Sequence, residues 1–271
     1  MYPFNYHRPH TINEAQRLLE ASDNSALLAG GHTLLPAMKL RMASSTDLVD
    51  LCGISQLRGI KAEKNLLTIG AMTPHAEVAG SSTVKELIPA LAGLAGSIGD
   101  RHVRHRGTIG GSLANNDPAA DYPAAVLGLN AMIITNHRSI SAKDYFTGLY
   151  TTALQTGEII LRVEFPVPLS ASYAKFRNFA SRYAVAGVFI ARTNAGACVA
   201  VTGAGATGVF RASNFEAALD SKFSPESLEN CHISPKNLMG DHNATPEYRA
   251  HLIKVMAVRA VGHPNQILTF K

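Results

Sequence analysis

The spacing of apolar and polar residues predicts short helices and short strands along the first third of the chain. Thr11 and Glu14 have the spacing of a helix capping box. The apolar residues Ala15, Leu18 and Leu19 follow at helical intervals. The sequence therefore predicts a first helix that begins after Thr11.

Two short apolar runs flank a second segment with helical spacing. Residues 25–29 and 47–50 predict buried strands, and residues 34–42 between them predict a helix. This strand–helix–strand order is typical of a small α/β unit. We therefore expect the chain to open with a compact subdomain of that kind.

The next hundred residues continue the mixed pattern. Strands are predicted at 66–70 and 131–135, and helices at 88–98 and 119–127. Thr73 before Pro74 predicts a helix with the threonine as cap and the proline in its first turn, and Thr83 with Glu86 predicts another capping box. Residues 100–111 are polar, basic and glycine-rich, so they predict a loop.

The best candidate for a domain boundary is an alternating strand that runs into prolines. Residues 158–165 alternate in polarity and end at Pro166 and Pro168. Later segments predict strands near 174–180, 185–193 and 197–202, and helices capped by Asn214, opened at Ser224–Pro225, and running from Thr245–Pro246 through Val261. We therefore expect a first domain at 1–168, with subdomains of about 1–55 and 56–168, and a second domain at 169–271.

Composition indicates a packed, folded chain rather than a disordered one. Apolar residues make up 46% of the 271 residues and charged residues 17%. The formal net charge is +5, and basic residues are scattered except near residue 101, so a nucleic-acid partner is not expected. Residues 1–20 lack the apolar core of a signal peptide, and no run of about 18 apolar residues predicts a membrane span.

Cysteine usage predicts neither a metal site nor disulfides. Cys52, Cys198 and Cys231 are far apart and odd in number, and no C-x-x-C pair occurs. Ligation of zinc or of an iron–sulfur cluster by this chain is therefore not expected. Reduced thiols in a cytoplasmic protein are the preferred interpretation.

Two glycine turns are candidates for binding a phosphate. In residues 28–34 a predicted strand ends on Gly30 and Gly31, followed by Thr33 and a predicted helix. Glycines let backbone N–H groups approach an anion, and a helix N-terminus adds to this effect. Taken alone, this motif is more simply explained as an ordinary strand-to-helix turn. Residues 106–112 repeat the design, which favours one dinucleotide with two phosphates, although a plain loop also remains open.

A carboxylate pair follows the second turn. Asp117 precedes Pro118 like a helix cap, and Asp121 falls in the first turn of the predicted helix. Asp121 is placed to accept hydrogen bonds from a ribose or a flavin ring, and local capping is the alternative.

Two further motifs are conspicuous but carry less weight. Gly203, Gly205 and Gly208 match G-x-G-x-x-G, yet no helix opens on them and no second strand with an acidic end follows, so a plain turn is favoured. The basic run at 101–106 contains His102 and His105 without a third metal ligand nearby. We expect that run to be a solvated or partner-facing loop next to the second glycine turn.

Taken together, these segments resemble one family. Residues 29–36 (AGGHTLLP) are very similar to the first flavin motif, and residues 103–112 (VRHRGTIGGS) with 117–121 (DPAAD) to the second flavin motif, of the medium, FAD-binding subunit of molybdenum hydroxylases of the carbon monoxide dehydrogenase and xanthine dehydrogenase type. Residues 4–9, 157–160 and 246–252 also match. The likeness runs nearly end to end, and the order and spacing of the motifs are specific.

The resemblance implies an α+β fold. It implies a PCMH or vanillyl-alcohol-oxidase-type FAD domain of two α/β subdomains, and a C-terminal domain of a three-stranded antiparallel sheet with a helix bundle. It further implies that FAD is held by Ala29, Gly30, Gly31, His32, Thr33, Leu34, Ile98, Thr108, Ile109, Gly110, Gly111, Ser112, Asp121, Ile160, Lys175 and Tyr183. Within that set, Ile98 is expected near the adenine, Ile160 beside the flavin ring, and Lys175 and Tyr183 on the other side of the ring.

The resemblance also implies a division of labour among subunits. A molybdopterin-binding large subunit would hydroxylate the substrate, and a small subunit with two-iron clusters would pass electrons to this FAD and on to an external acceptor. The implied assembly is a dimer of heterotrimers, with no residue of this chain acting as a catalytic acid or base. A self-contained flavin oxidoreductase and a nucleotide-binding scaffold subunit that has lost FAD remain as rival hypotheses.

One departure from the family pattern bears on the flavin. Many relatives have Gly-Asp before an aromatic residue, whereas this chain has Ser181 and Arg182 before Tyr183. An arginine there is expected to raise the reduction potential of the flavin by stabilising its reduced, anionic form.

Overall fold

The computed structural model describes residues 1–270, and three main sheets follow one another along the chain. The strands are β1 (Asn5–His7), β2 (Ser25–Leu28), β3 (Asp47–Asp50), β4 (Ile60–Glu63), β5 (Leu66–Gly70), β6 (Met132–Thr135), β7 (Ser139–Ser141), β8 (Phe146–Gly148), β9 (Thr151–Thr152), β10 (Ile160–Pro166), β11 (Ser170–Arg177), β12 (Ala184–Thr193), β13 (Gly196–Thr202), β14 (Phe210–Arg211) and β15 (Ile267–Phe270). The helices are α1 (Ile12–Glu20), α2 (Leu34–Lys39), α3 (His75–Gly80), α4 (Ser82–Leu87), α5 (Pro89–Ser97), α6 (Arg101–Arg106), α7 (Ile109–Asn115), α8 (Tyr122–Gly128), α9 (Ala142–Tyr145), α10 (Ser213–Ser221) and α11 (Pro246–Gly262).

The first sheet is parallel, with the order β1-β3-β2. Helix α1 begins as predicted, because the Thr11 hydroxyl accepts a hydrogen bond from the Glu14 amide at 3.2 Å. The Glu14 carboxylate accepts a hydrogen bond from the His10 amide at 2.9 Å rather than from the amide of the capping threonine. The strands at 25–28 and 47–50 and the helix between them confirm the α/β unit.

The second sheet is antiparallel in the order β4-β5-β10-β6-β7. Its inner face is covered by α5 and α8, whose apolar residues are buried with those of β5 and β10 in one core. Burial of this surface at about 25 cal/mol per Å² is the main stabilising contribution to such a layer. The strand predicted at 158–165 corresponds to β10. It is a central strand, because β5 and β6 pair with it on its two sides.

The third sheet has the order β14-β13-β12-β11-β15. Its three long strands are antiparallel, as the family resemblance implied, and two short edge strands widen the sheet to five. Two α-helices, α10 and α11, pack on one face, with two single turns of 3-10 helix beside them instead of further helices of a bundle. Helix α11 begins where predicted, because the Thr245 hydroxyl accepts from the Tyr248 amide at 3.3 Å.

The other face of the third sheet joins the core of the second sheet. Tyr173 of β11 and Phe189 of β12 are fully buried among residues of α5 and α8. The third sheet is thus anchored to the second through a shared apolar layer, and this fixes the relative position of any site between them.

Several predicted helix starts are wrong, and each error has a local cause. Thr73 does not cap a helix, because its hydroxyl bonds the backbone of Gly59, so α3 starts later. Ser81, rather than Thr83, caps α4. Asn214 lies inside α10 and donates to the His232 carbonyl.

The segment predicted as a loop at 100–111 is mostly helical. Asp100 accepts a hydrogen bond from the Val103 amide at 2.9 Å and thereby caps α6, and α7 begins three residues after α6 ends. Neither helix has the long apolar stripe on which a periodicity argument depends. Helix α2 ends at Lys39 rather than at 42, because Arg41 takes a left-handed conformation with φ of 59°.

The helix expected from residue 119 starts at Tyr122. Asp117 instead accepts from the Ala119 amide at 2.8 Å, which produces a tight turn before the helix. The strands β1, β4, β7, β8, β9, β14 and β15 were not predicted, because they are short and carry little alternation.

Candidate functional site

A cavity of about 780 Å³ lies among the three sheets and receives residues from all of them. This volume is in the range typical of small-molecule and cofactor sites. Every predicted cofactor-binding residue except Ile109 and Lys175 lines it, namely Ala29, Gly30, Gly31, His32, Thr33, Leu34, Ile98, Thr108, Gly110, Gly111, Ser112, Asp121, Ile160 and Tyr183. The structure therefore brings together residues that are up to about 150 positions apart in the chain.

The two glycine turns touch each other. A Cβ placed on Gly30 would collide with the carbonyl oxygen of Arg106 and lie 2.7 Å from the Cα of Gly107. Real Cβ atoms do not approach backbone atoms so closely, and only glycine has no Cβ. Glycine at position 30 therefore lets the first turn pack directly on the second.

The second turn is fixed to the end of strand β5. The Gly110 amide donates to the Ala71 carbonyl at 2.8 Å, and a Cβ on Gly110 would lie 2.6 Å from the Cβ of Ala71. The Thr108 hydroxyl accepts from the Gly111 amide at 3.1 Å and so caps α7. Ile109 does not reach the cavity, because its side chain is fully buried in the core beneath the turn.

The helices behind the turns are short. Helix α2 has six residues and α7 has seven, so they contribute little as dipoles, and the close approach of backbone is the more important property of both turns. Thr33 makes no capping hydrogen bond to α2, whereas the equivalent Thr108 does cap its helix.

Asp121 belongs to a buried hydrogen-bonded triad. Its carboxylate accepts from the Tyr173 hydroxyl at 2.5 Å and from Lys175 Nζ at 2.9 Å. Local capping is excluded, since its side chain does not bond the amides of α8. Burial, followed by the nearby Asp121 carboxylate, raises the pKa of Tyr173, so the phenol stays a donor. Lys175 is fully buried behind Asp121. Contrary to the prediction, it does not line the cavity.

The opposite wall is formed by the loop between β11 and β12. Tyr183 lines the cavity and is 46% exposed. Arg182, in a left-handed conformation with φ of 64°, donates from Nη1 to the Gly99 carbonyl at 3.3 Å. Because Gly99 follows Ile98, this contact links the loop to the part of the cavity where the adenine was expected.

Glu158 is a cavity residue that sequence reasoning did not single out. Its side chain is fully buried and accepts from Arg138 Nε at 3.0 Å, the Thr135 hydroxyl at 2.7 Å and the Gln155 amide at 2.8 Å. Burial disfavours the charged carboxylate, but these hydrogen bonds outweigh it and lower the pKa of Glu158 to about 2. Glu158 thus holds the segment before Ile160 in place.

This shift predicts an acid-dependent loss of stability. The pKa of Glu158 is lower in the folded chain than its ordinary value of 4.5, so its stabilising effect is complete above about 4.5 and is lost as the pH falls towards 2. Chemical unfolding measured between pH 7 and pH 2.5 should show Glu158→Gln to be less stable at pH 7, with a difference from the parent that shrinks in acid. A difference that stays constant over this range would contradict the assignment.

Of the two conspicuous motifs set aside earlier, the Gly203–Gly208 turn does not line the cavity, whereas the basic run contributes Val103 to its lining. Gly203 and Gly205 form the turn after β13, where the Gly203 amide donates to the Pro118 carbonyl at 2.8 Å. The basic run forms α6, with Arg101, His102 and His105 exposed. In residues 1–270 no group of three or more metal-ligating side chains was found, and no helix is long and apolar enough to cross a membrane.

The sequence matches the profile of a known family. The family described as the FAD binding domain in molybdopterin dehydrogenase matches residues 2–168. The glyceraldehyde dehydrogenase medium chain of Sulfolobus acidocaldarius is 34% identical over 96% of this chain and 98% of its own length. The carbon monoxide dehydrogenase medium chain of Hydrogenophaga pseudoflava is 34% identical over 83% of each chain.

Solved structures give the same result over nearly the whole length. A carbon monoxide dehydrogenase structure from Hydrogenophaga pseudoflava superposes with a TM-score of 0.86 and 33% identity, covering 97% of this chain and 98% of the other. The reconstituted enzyme from Oligotropha carboxidovorans superposes with a TM-score of 0.87 and 31% identity, covering 97% and 98%. The likeness therefore includes the C-terminal sheet as well as the residues that the family profile matches.

Proposed function

This chain belongs to the family of FAD-binding medium subunits of molybdenum hydroxylases, and we propose on that premise that its cavity holds FAD between the two touching glycine turns. It is the electron-transfer flavoprotein subunit of a multi-subunit oxidoreductase. The α+β fold expected from the resemblance is confirmed. The observation that carries the proposed site is the direct packing of Gly30 on the backbone of Arg106 and Gly107.

The geometry of the cavity fits a dinucleotide. The space that a Cβ would fill at Gly30 is occupied by backbone of the second turn, so the two turns meet and both line one cavity. Carboxylate, hydroxyl and apolar groups line the rest of it, which suits a molecule with a diphosphate, a polyol and two flat rings. The residues present therefore fit FAD.

We assign contacts to the residues that line the cavity. The turns at 29–34 and 108–112 would hold the diphosphate, Ile98 the adenine, and Asp121, Ile160 and Tyr183 the flavin and its side chain. Lys175 and Tyr173 would act through Asp121, whose carboxylate they orient. Ile109 would act through the position of the second turn.

Bound FAD supplies the redox chemistry, accepting electrons from iron–sulfur clusters of a partner and releasing them to an external acceptor. Medium subunits of this family work with large and small partner subunits. We propose a molybdopterin-binding large subunit and a two-iron small subunit, assembled as a dimer of heterotrimers in the cytoplasm. We also propose the division into domains 1–168, with subdomains of about 1–55 and 56–168, and 169–271, which agrees with the residues matched by the family.

Purification of the chain alone and with its co-purifying partners tests this function. The isolated chain should carry one FAD, visible as flavin absorbance, and should turn over no substrate of the complex. The complex should turn that substrate over and reduce the flavin. A chain that lacks flavin under all conditions, or that turns over the substrate alone, would contradict the proposal.

Arg182 gives a specific prediction about the bound flavin. The Arg182 guanidinium lies on the Gly99 side of the cavity, so its positive charge acts on the reduced flavin over a distance, and Arg182→Asp should lower the FAD midpoint potential by only roughly 20–40 mV. Spectroelectrochemical titration of the parent and the variant measures this shift. Arg101→Asp, an exposed arginine outside the cavity lining, is the matched control and should leave the potential unchanged. Equal potentials in the parent and Arg182→Asp would show that the arginine does not tune the flavin.

A further inference from the structure

His75 is a buried histidine in the wall of the cavity that no motif singled out. It is the first residue of α3, its exposed fraction is only 5%, and it lines the cavity. Its backbone amide donates to the Gly107 carbonyl at 3.0 Å. The residue is therefore tied to the backbone of the second glycine turn.

The imidazole ring lies against that same turn. A Cβ on Gly107 would stand 2.7 Å from Nε2 of His75 and 3.0 Å from its Cδ2, so the glycine makes room for the ring edge. On its other side the ring packs on Tyr122, with the ring centroids 5.3 Å apart. Neighbours on both sides thus fix the plane of the imidazole.

The ring has an unused capacity for hydrogen bonding. Nδ1 is buried and has no partner in the chain, although buried polar atoms are nearly always paired. Burial, and then the positive charges that His32 and Arg104 can carry, lower the pKa of His75 to about 4. At neutral pH the imidazole is therefore neutral and has one N–H to donate.

His75 lies where the two turns meet. His32 of the first turn acts on it electrostatically, and Gly107 of the second turn is in contact with it. Arg104 also faces this place, while its guanidinium donates to the Ile98 carbonyl at 2.9 Å. An anionic oxygen is the ligand that such surroundings favour, because the charges that act on His75, those of His32 and Arg104, are positive.

We propose that His75 is an additional ligand of the dinucleotide and donates a hydrogen bond from its imidazole to an oxygen of the diphosphate between the two glycine turns. The assignment rests on the proposed function, because it needs the dinucleotide in this cavity. It adds a side-chain donor to the site between the two glycine turns, and it explains the glycine at position 107 separately from the contact of that residue with Gly30.

The test is the affinity of the full-length chain, freed of flavin, for FAD and for ADP, which carries a diphosphate without a flavin. His75→Phe keeps a flat ring but removes the donor, and His75→Gln keeps a donor. We expect His75→Phe to weaken FAD and ADP by a similar factor of about ten or more, and His75→Gln to lose less.

Tyr122→Phe is the matched control. It removes the other unpartnered polar atom of this pair, and Tyr122 does not line the cavity. It should leave both affinities within about twofold of the parent. Thermal unfolding of each flavin-free variant checks that it folds, and His75→Asn, with its shorter side chain, replaces His75→Phe if the latter does not fold.

Three outcomes overturn the proposal. One is an unchanged FAD affinity in His75→Phe, or in His75→Asn if only polar replacements fold. Another is a loss of FAD affinity without a loss of ADP affinity, which would place the contact away from the diphosphate. The third is an equal loss in Tyr122→Phe, which would make the effect one of packing. Failure of the parent chain to bind FAD would instead overturn the proposed function.

Discussion

Gly30→Ala is expected to weaken FAD binding by a factor of about 30–100. The new Cβ would collide with the Arg106 carbonyl oxygen and approach the Gly107 Cα to 2.7 Å, and neither backbone atom can rotate away as a flexible side chain would. The two turns must therefore separate. The strain of this overpacking falls on the cavity and costs about 2–3 kcal/mol of FAD binding free energy. Fluorescence titration of the flavin-free chain with FAD measures the loss.

Gly80→Ala is the matched control for this prediction. Gly80 is exposed at the end of α3, and a Cβ there meets no atom within 4 Å. Alanine should raise the stability of the chain slightly or leave it unchanged, and it should leave the FAD affinity unchanged. FAD affinity in Gly30→Ala equal to that of the parent would show that the contact between the turns does not shape the site.

Lys175→Met is expected to destabilise the chain by about 3–5 kcal/mol. The ammonium group is fully buried and bonds the buried Asp121 carboxylate at 2.9 Å, so its removal leaves a charge paired only with the Tyr173 hydroxyl. For a chain of this size the melting temperature should fall by roughly 6–20 °C. Lys85→Met, on the exposed face of α4, should leave it nearly unchanged.

A double variant separates stability from cofactor binding. Asp121→Asn combined with Lys175→Met removes both charges, and such replacements often restore much of the lost stability. FAD affinity should not recover, because Asp121 lines the cavity and Lys175 does not. Full recovery of FAD binding in the double variant would show that Asp121 has only a structural role.

Local patterns predicted the elements with strong signals of their own. The capping threonines at 11 and 245 and the strand at 47–50 lie where the sequence placed them. Helix α6 was missed because residues 101–106 contain a single apolar residue, and the capping Asp100 was its only signal. Threonine is a residue type that caps helices, but the Thr73 hydroxyl bonds the backbone of Gly59 and Thr83 lies inside α4.

The candidate site was predicted only in part, because only some of its residues lie in local sequence motifs. The glycine turns are local motifs, and they line the cavity as a sequence argument expects. The partners of Asp121 are 52 and 54 residues away, and Gly30 and Gly107 lie far apart in the sequence, so no local pattern indicates either contact. His75 and Glu158 went unnoticed because a lone histidine or glutamate has no motif.

A crystal structure of the full-length chain grown with FAD tests directly whether the cavity is the FAD site. Density for one FAD is expected in the cavity, with its diphosphate between the turns at 29–34 and 108–112 and its flavin near Asp121 and Tyr183. FAD bound at another place, such as the Gly203–Gly208 turn, or a cavity without FAD at saturating concentration, would contradict this expectation.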